Sequence, residues 1–172
     1  MSTILGVVQI FISVVLVFLI LMHSGKDAGL SGAFGVGTDS NVLVGAADEL
    51  RQLEYGQRLK HRERNVLSGG AGRSTGRTLF DHTLAGGARA LAQATVGLGP
   101  GARADIVTLD TTHPSLAGRN GDAVLDGWIF ASGSCAVDCV WAGGNKVVEG
   151  GHHRLRQSAR DKFNAAVRRL VA

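Results

Sequence analysis

The feature that most constrains this chain is an uncharged apolar stretch near its start. The 19 residues from Ile4 to Met22 contain no Asp, Glu, Lys or Arg. As an α-helix, this stretch would be about 28 Å long, which matches the hydrocarbon thickness of a bilayer. A cleaved signal peptide is the alternative, but it needs a basic n-region, and the side chains of Met1 to Thr3 carry no charge. The stretch therefore favours a transmembrane helix within residues 1–24.

The distribution of basic residues predicts the orientation of that helix. Lys26 follows the apolar stretch closely, and more cations come later, at Arg51, Arg58, Lys60, Arg62 and Arg64. The positive-inside rule places the side rich in Lys and Arg in the cytoplasm. We therefore expect a single-pass protein of the cell membrane, in contact with membrane lipid, whose C-terminal part is cytoplasmic. The net charge is +4, but aromatic residues make up only 5% and no nucleic-acid motif occurs, so we expect no nucleic-acid partner.

The residues after the apolar stretch form a Gly-rich loop over residues 25–37. The loop contains Gly25-Lys26, Gly29-Leu30-Ser31 and Phe34-Gly35. Together with the preceding helix, this pattern resembles the first transmembrane helix and cytoplasmic loop of SecG, a subunit of the bacterial Sec translocon. The resemblance covers residues 1–37 and implies Sec translocon subunits as partners in protein export. SecG continues to a second membrane helix, whereas no later run of this chain approaches the ~18 apolar residues of a membrane span. The alternative to the SecG resemblance is a generic signal anchor followed by a Gly-rich tether.

A second resemblance begins at Phe34 and continues to the C-terminus. The run FGVGTDSNVLVGAADELRQLEYGQRLKHRERNVL is similar to the last barrel strand and following helix of formimidoylglutamate deiminases. These are zinc-dependent enzymes of the amidohydrolase superfamily, and TDSN and LEYGQRL are the most specific parts of the match. The resemblance over residues 34–172 implies the C-terminal part of an enzyme that hydrolyses the C–N bond of a formimino group in histidine degradation.

Asp39 is the candidate catalytic residue and the candidate metal ligand. It follows a short β-like run of small residues, which is where a metal-dependent hydrolase places a carboxylate at the end of a barrel strand. In the family, the strand-eight Asp binds the metal and helps to move the proton of the hydrolytic water, and the resemblance assigns this role to Asp39. The structural alternative for Asp39 is a helix N-cap or an Asx turn.

The histidines of the chain do not complete a zinc site by their spacing. An amidohydrolase needs several His ligands, classically including a His-x-His pair, to lower the pKa of zinc-bound water to about 7. The barrel strands that precede Phe34 in the family are replaced here by the apolar stretch. We therefore expect a chain that binds no zinc and is inactive alone. No two of its histidines are spaced as His-x-His; they are His23, His61, His82, His113, His152 and His153.

The rest of the pattern predicts an α/β fold with an incomplete barrel. We expect the last barrel strand and its helices over residues 38–102, β-sandwich strands over 103–151 and a C-terminal helix over 152–172. The run SGGAGRSTG at 68–76 is interpreted as a linker rather than a phosphate loop, because the Gly-Lys-Ser/Thr ending is absent. Helices are predicted at 46–65, 75–94 and 154–171, and strands at 104–110, 123–131, 136–142 and 145–149.

Four side chains of this part carry more specific expectations. Trp128 and Trp141 are expected in the sandwich core. Cys135 and Cys139 have no second cysteine pair with which to complete four zinc ligands, so they are interpreted as ordinary thiols.

The helix predicted at 46–65 is expected to bury one face. The inner face is expected to run through Ala46, Leu50, Leu53 and Gln57.

Three hypotheses about function remain at this point. The favoured one is a C-terminal amidohydrolase fragment fused to a membrane helix and inactive alone. The alternative is a SecG-like translocon subunit that carries the rest of the chain as a passenger domain. The third is an accident of sequence joining, since both families carry a Phe-Gly-x-Gly run where the two resemblances overlap.

Overall fold

The computed structural model describes residues 34–39, 43–93 and 95–171. The predicted transmembrane helix and all but the last four residues of the Gly-rich loop lie outside these ranges. Within them, no helix has the length and apolar character needed to cross a membrane. Every described residue belongs to one unit of the chain, Ala33–Ala172, called here the second unit because residues 1–32 precede it.

The helices of the second unit begin and end where local signals indicate. Asp48 and Glu49 lie in the first turn of the first helix and its last turn is basic, an arrangement that complements the helix dipole. The second helix is capped by Ser74, whose hydroxyl accepts a hydrogen bond from the Arg77 amide at 2.9 Å. The helices are α1 (Ala46–His61), α2 (Thr75–Ala90), α3 (Asp122–Gly127), which continues as a π-helical turn (Trp128–Ser132) and a 3-10 helix (Gly133–Ala136), and α4 (Arg156–Val171).

A small antiparallel sheet follows the order β1-β2-β3-β4. Its first pairing aligns Ile106 with Trp141 and contains a bulge before Leu109. The predicted hairpin turn is confirmed, because Gly143 and Gly144 connect the second and third strands with φ values of 55° and 81°. The strands are β1 (Ile106–Leu109), β2 (Val137–Ala142), β3 (Asn145–Glu149) and β4 (His152–His153).

The core of the unit lies where α1 and α2 meet the segment around α3. α1 packs on the π-helical turn and the 3-10 helix, and α2 packs on α3. Fully burying a large aliphatic side chain stabilises the folded state by about 1.5–3 kcal/mol, so a few such side chains are enough to hold these helices together. The largest fully buried apolar side chains are Leu50, Leu79, Leu116 and Ile129.

The strand predicted at 123–131 is wrong. These residues form α3 and most of the π-helical turn. Short apolar runs do not distinguish strand from helix by periodicity alone, and here packing decides. Trp128 accordingly lies against α2, with its ring edge-on to Phe80 at 6.4 Å, and not in a sandwich. Trp141 does lie in the sheet, where its ring centroid is 5.2 Å from the Lys146 ammonium.

Candidate functional site

The candidate site centres on residues 34–39, named here the Asp39 segment. Residues 34–38 are irregular rather than paired in the sheet, and the chain turns at Asp39. The segment is attached to α2 at its start, because the Phe34 amide donates a hydrogen bond to the His82 carbonyl oxygen at 3.2 Å. The Phe34 and His82 rings also lie 5.8 Å apart. α2 therefore supports the base of the segment that carries the candidate carboxylate.

This attachment depends on glycine in α2. A Cβ atom added at Gly86 would lie 2.1 Å from the Phe34 carbonyl carbon and 2.6 Å from the Gly35 nitrogen. No real Cβ contact is that short, so only a residue without a side chain lets the two backbones approach. Gly35 in turn faces Gly87, whose nitrogen would lie 3.9 Å from a Cβ at Gly35. Gly86 thus sets the position of the Asp39 segment on the helix.

Asp39 is exposed at the end of this segment. Its φ is 41°, in the left-handed region that Asp tolerates better than most residues. It is not a helix N-cap, because the N-cap of α1 is Gly45. In the described part of the chain, no three His, Cys, Asp or Glu side chains lie close enough together to hold a metal ion. The donors present in these residues therefore do not fit a zinc ion, which needs about three protein ligands in a catalytic site.

Three of the described histidines, His113, His152 and His153, have their Nδ1 atoms close to backbone atoms two residues away. The Nδ1 atom of His113 accepts from the Ser115 amide at 3.2 Å, and that of His153 accepts from the Leu155 amide at 3.1 Å. The Nδ1 atom of His152 lies 2.6 Å from the Gly150 carbonyl oxygen. His61 is exposed at the end of α1. These contacts stabilise turns and do not gather imidazoles around Asp39.

The most specific motif of the sequence, LEYGQRL, forms a buried polar cluster. Glu54 is fully buried and pairs with the Arg58 guanidinium at 2.7 Å. Its carboxylate also accepts hydrogen bonds from the amides of Val66 at 3.1 Å and Leu67 at 3.0 Å. We name Glu54, Arg58, Val66 and Leu67 the Glu54 cluster. It attaches the loop after α1 to the helix, so the motif has a structural role in this chain.

Aromatic rings surround the cation of the Glu54 cluster. The Arg58 guanidinium lies 5.2 Å from the Tyr55 ring centroid and 5.4 Å from that of Phe130. Those two rings are stacked on each other at 6.1 Å. The cation therefore connects α1 to the π-helical turn through its contact with Phe130, whereas its salt bridge to Glu54 lies within α1.

The Gly-rich run at 68–76 borders an open cleft of about 520 Å³. Arg64, Arg73 and Asp126 are among the residues that line it. The first amides of α2 are already used by the protein, because the Gly76 amide donates to Asp126 Oδ1 at 2.7 Å and the Arg77 amide to Ser74. This arrangement supports the interpretation of the run as a linker rather than a phosphate loop.

The shifted pKa values lie away from Asp39. The hydroxyl and amide of Thr112 donate to Asp110 and lower the pKa of its carboxyl group. Hydrogen bonds to Asp122 and then Asp81 raise the pKa of Arg77. A hydrogen bond to Glu149 raises the pKa of Lys146. All of these are charge pairs or turns at the surface, where ion pairs contribute little to stability.

Both cysteines are free thiols, Cys135 exposed and Cys139 buried.

Comparison with known proteins matches the two parts of the chain to different families. Residues 2–54 match the family model of the preprotein translocase SecG subunit. A formimidoylglutamate deiminase from Pseudomonas aeruginosa is 48% identical over 122 residues, which are 71% of this chain and 27% of that protein. The crystal structure of an amidohydrolase from Brucella melitensis superposes with a TM-score of 0.75 at 51% identity, covering 85% of this chain and 33% of that one.

The chain is a chimera of a SecG-like and an amidohydrolase-like part. The two resemblances seen in the sequence are confirmed, and the SecG match extends beyond residue 37 into α1. The SecG–amidohydrolase chimera spans about a quarter of the curated deiminase and a third of the solved amidohydrolase. The described residues form an amidohydrolase-like α/β fragment with a small antiparallel sheet.

Gly86 and Glu54 are the residues that reasoning from sequence missed. A pair of adjacent glycines inside a helical pattern is a signal for close packing, and Gly86-Gly87 in α2 is such a pair. Glu54 carries no comparable signal, because the amides that it binds lie 12 and 13 residues further along the chain. Both residues act through tertiary contacts, Gly86 with the Asp39 segment and Glu54 with the loop after α1.

Proposed function

We propose that residues 34–172 are the C-terminal part of a zinc-dependent amidohydrolase that hydrolyses the C–N bond of a formimino group. In this proposal, residues 38–102 supply the last barrel strand and its helices, 103–151 sandwich strands and 152–172 a C-terminal helix. Asp39 is the metal ligand and catalytic carboxylate that the chain contributes. The observation that carries the proposal is the fixed position of the Asp39 segment on α2 at Gly86, within a fold similar to that of a solved amidohydrolase.

The remaining ligands and the substrate site are proposed to come from outside the described residues. Among those residues Asp39 belongs to no group of three or more His, Cys, Asp or Glu side chains that could hold a metal ion, and a zinc ion in a catalytic site needs about three protein ligands. Asp39 is exposed and thus accessible to ligands supplied by another barrel segment. We propose that the SecG–amidohydrolase chimera is inactive alone and that its carboxylate acts only in a completed barrel.

The first prediction concerns zinc content and turnover of the purified full-length chain. We expect substoichiometric zinc by mass spectrometry and no ammonia release from formimidoylglutamate, because one carboxylate holds zinc weakly. The Pseudomonas aeruginosa deiminase, assayed in parallel, is the positive control. One zinc per chain with turnover that is lost in Asp39→Asn but kept in Asp110→Asn would place the complete site in this chain and refute its dependence on another segment.

The SecG match supports a second candidate function. We propose that the chain is a single-pass protein of the cell membrane, in contact with lipid, with its C-terminal part in the cytoplasm and with Sec translocon subunits as partners. The support is the match of residues 2–54 to the SecG family model. In this proposal the amidohydrolase-like part is a passenger domain.

The second prediction tests this candidate by association and export. If the chain acts as a translocon subunit, it co-purifies with the channel subunits from detergent-solubilised membranes, and a version truncated after Gly37 restores export in a strain that lacks its own subunit. A matched version that lacks residues 1–33 is the control and is expected to do neither. If the chain does not co-purify with the channel subunits and the truncated version does not restore export, the translocon hypothesis is wrong.

A further inference from the structure

The C-terminal helix α4 presents an apolar stripe without a cover in the described residues. Leu155, Ala159, Phe163 and Leu170 follow one another at helical spacing, with Val167 beside them. Leu155 is 57% exposed, Phe163 67% and Leu170 85%. No residue of α4 is buried. We name these five residues the α4 stripe. A continuous exposed apolar stripe bordered by polar residues is typical of an interaction site.

Charge borders the α4 stripe on both sides. At 100° per residue, Arg160 lies along one edge, and Lys162 and Arg169 lie along the other. Arg156, at the start of the helix, has a direction between those of Phe163 and Val167. Asp161 is the only acidic residue of the helix and lies on the opposite face. The complementary surface is therefore an apolar groove with carboxylates at its rim. Arginine is common at such protein interfaces, where its stem packs and its head group pairs.

The length of the matched proteins indicates which partner has this surface. About two thirds of the solved amidohydrolase lies outside its match to this chain, and the matched part is 51% identical to it. A segment so similar retains side chains suited to contacts within that fold. A 16-residue helix is marginal in water by itself, so its stability depends on packing of its apolar face. The missing part of the fold offers that packing.

We propose that the α4 stripe binds the portion of an amidohydrolase that precedes the part matched by this chain. The occupant is a polypeptide with the earlier barrel strands and an apolar groove edged by Asp and Glu. Binding brings that portion to the fragment that carries Asp39. The inference rests on the proposed hydrolase function, but it concerns association and not turnover.

The test is capture of that portion by the full-length chain. The probe is the Pseudomonas aeruginosa deiminase truncated before its matched region and co-expressed with the tagged SecG–amidohydrolase chimera. Phe163→Asp places a charge in the α4 stripe, whereas the control Ala165→Asp places the same charge on the opposite face of the same helix. We expect capture by the wild type and by Ala165→Asp, and at least a tenfold loss with Phe163→Asp.

Other outcomes overturn the inference. No capture by the wild type, or equal capture by both variants, removes α4 as the binding surface. Binding to phosphatidylglycerol vesicles without capture of the deiminase portion assigns the stripe to lipid. A dimer that is lost in Phe163→Asp, again without capture, assigns it to a second copy.

Failure of the hydrolase proposal has a different signature. Asp39→Asn lies outside the α4 stripe and is expected to be captured like the wild type. Capture that depends on Phe163, in a complex that neither binds zinc nor releases ammonia from formimidoylglutamate, upholds the binding surface and refutes the proposed activity. Turnover of a complex that Phe163→Asp leaves intact upholds the activity and refutes the surface.

Discussion

Glu54→Ala is expected to lower the free energy of unfolding by about 3–5 kcal/mol, the usual cost of removing one partner from a buried ion pair. The substitution leaves the amides of Val66 and Leu67 without their acceptor and the Arg58 guanidinium without its counter-ion. Unpaired buried donors lose the hydrogen bonds that water would give them in the unfolded chain. Because small domains are stable by only about 5–15 kcal/mol, the loss is a large part of the total.

The measurement is urea unfolding of the full-length chain in mild detergent, followed by tryptophan fluorescence. Glu63→Ala is the matched control, because Glu63 is an exposed carboxylate just after α1 and its loss is expected to change the free energy by less than about 0.5 kcal/mol. Glu54→Gln keeps one acceptor oxygen and is expected to fall between the two. Similar unfolding midpoints for Glu54→Ala and Glu63→Ala would show that the Glu54 cluster does not hold the loop.

Elements with strong local signals follow the sequence closely. The helix predicted at 75–94 is observed as Thr75–Ala90, with the Ser74 cap in place, because a capping hydroxyl acts within its own turn. The strand at 145–149 and its Gly143-Gly144 turn have the predicted positions. In these places the residues that determine the structure are neighbours in the chain.

The predictions are less accurate where the structure depends on contacts between residues that are far apart in the sequence. The expected inner face of α1 runs through Ala46, Leu50, Leu53 and Gln57. Leu50 is buried as predicted, but Ala46 is exposed, and the other two buried residues of the helix are Ala47 and Glu54. The Glu54 carboxylate can be buried because backbone amides beyond the end of the helix donate hydrogen bonds to it.

The same distinction between local and long-range contacts applies to the candidate site. The resemblance over TDSN identifies Asp39 as the carboxylate of interest, and this remains a prediction. The glycine pair in α2 signals a close contact, but the sequence does not identify its partner, because Gly86 meets Phe34 across 52 positions of the chain. Sequence reasoning names the chemical group, whereas the packing that positions it emerges only in three dimensions.

Gly86→Ala is expected to destabilise the chain by about 2–3 kcal/mol, the cost of overpacking a tight contact. The new methyl group would lie within 2.1–2.6 Å of Phe34 and Gly35 backbone atoms, and backbone cannot move aside as a flexible side chain does. The Asp39 segment is therefore expected to leave α2, which also breaks the hydrogen bond from the Phe34 amide to His82. Urea unfolding measures the energy, and amide hydrogen exchange at Phe34 reports the detachment.

Gly87→Ala provides the matched control with the opposite expected sign. Gly87 is the next residue of the same helix, and a Cβ there would meet nothing within 4 Å. Alanine favours a helix over glycine by about 0.5–1 kcal/mol, so this variant is expected to gain stability. Because both substitutions add one methyl group to α2, helix propensity cancels in the comparison and the difference isolates the contact with Phe34. Equal gains in both variants would mean that the Asp39 segment does not rest on α2.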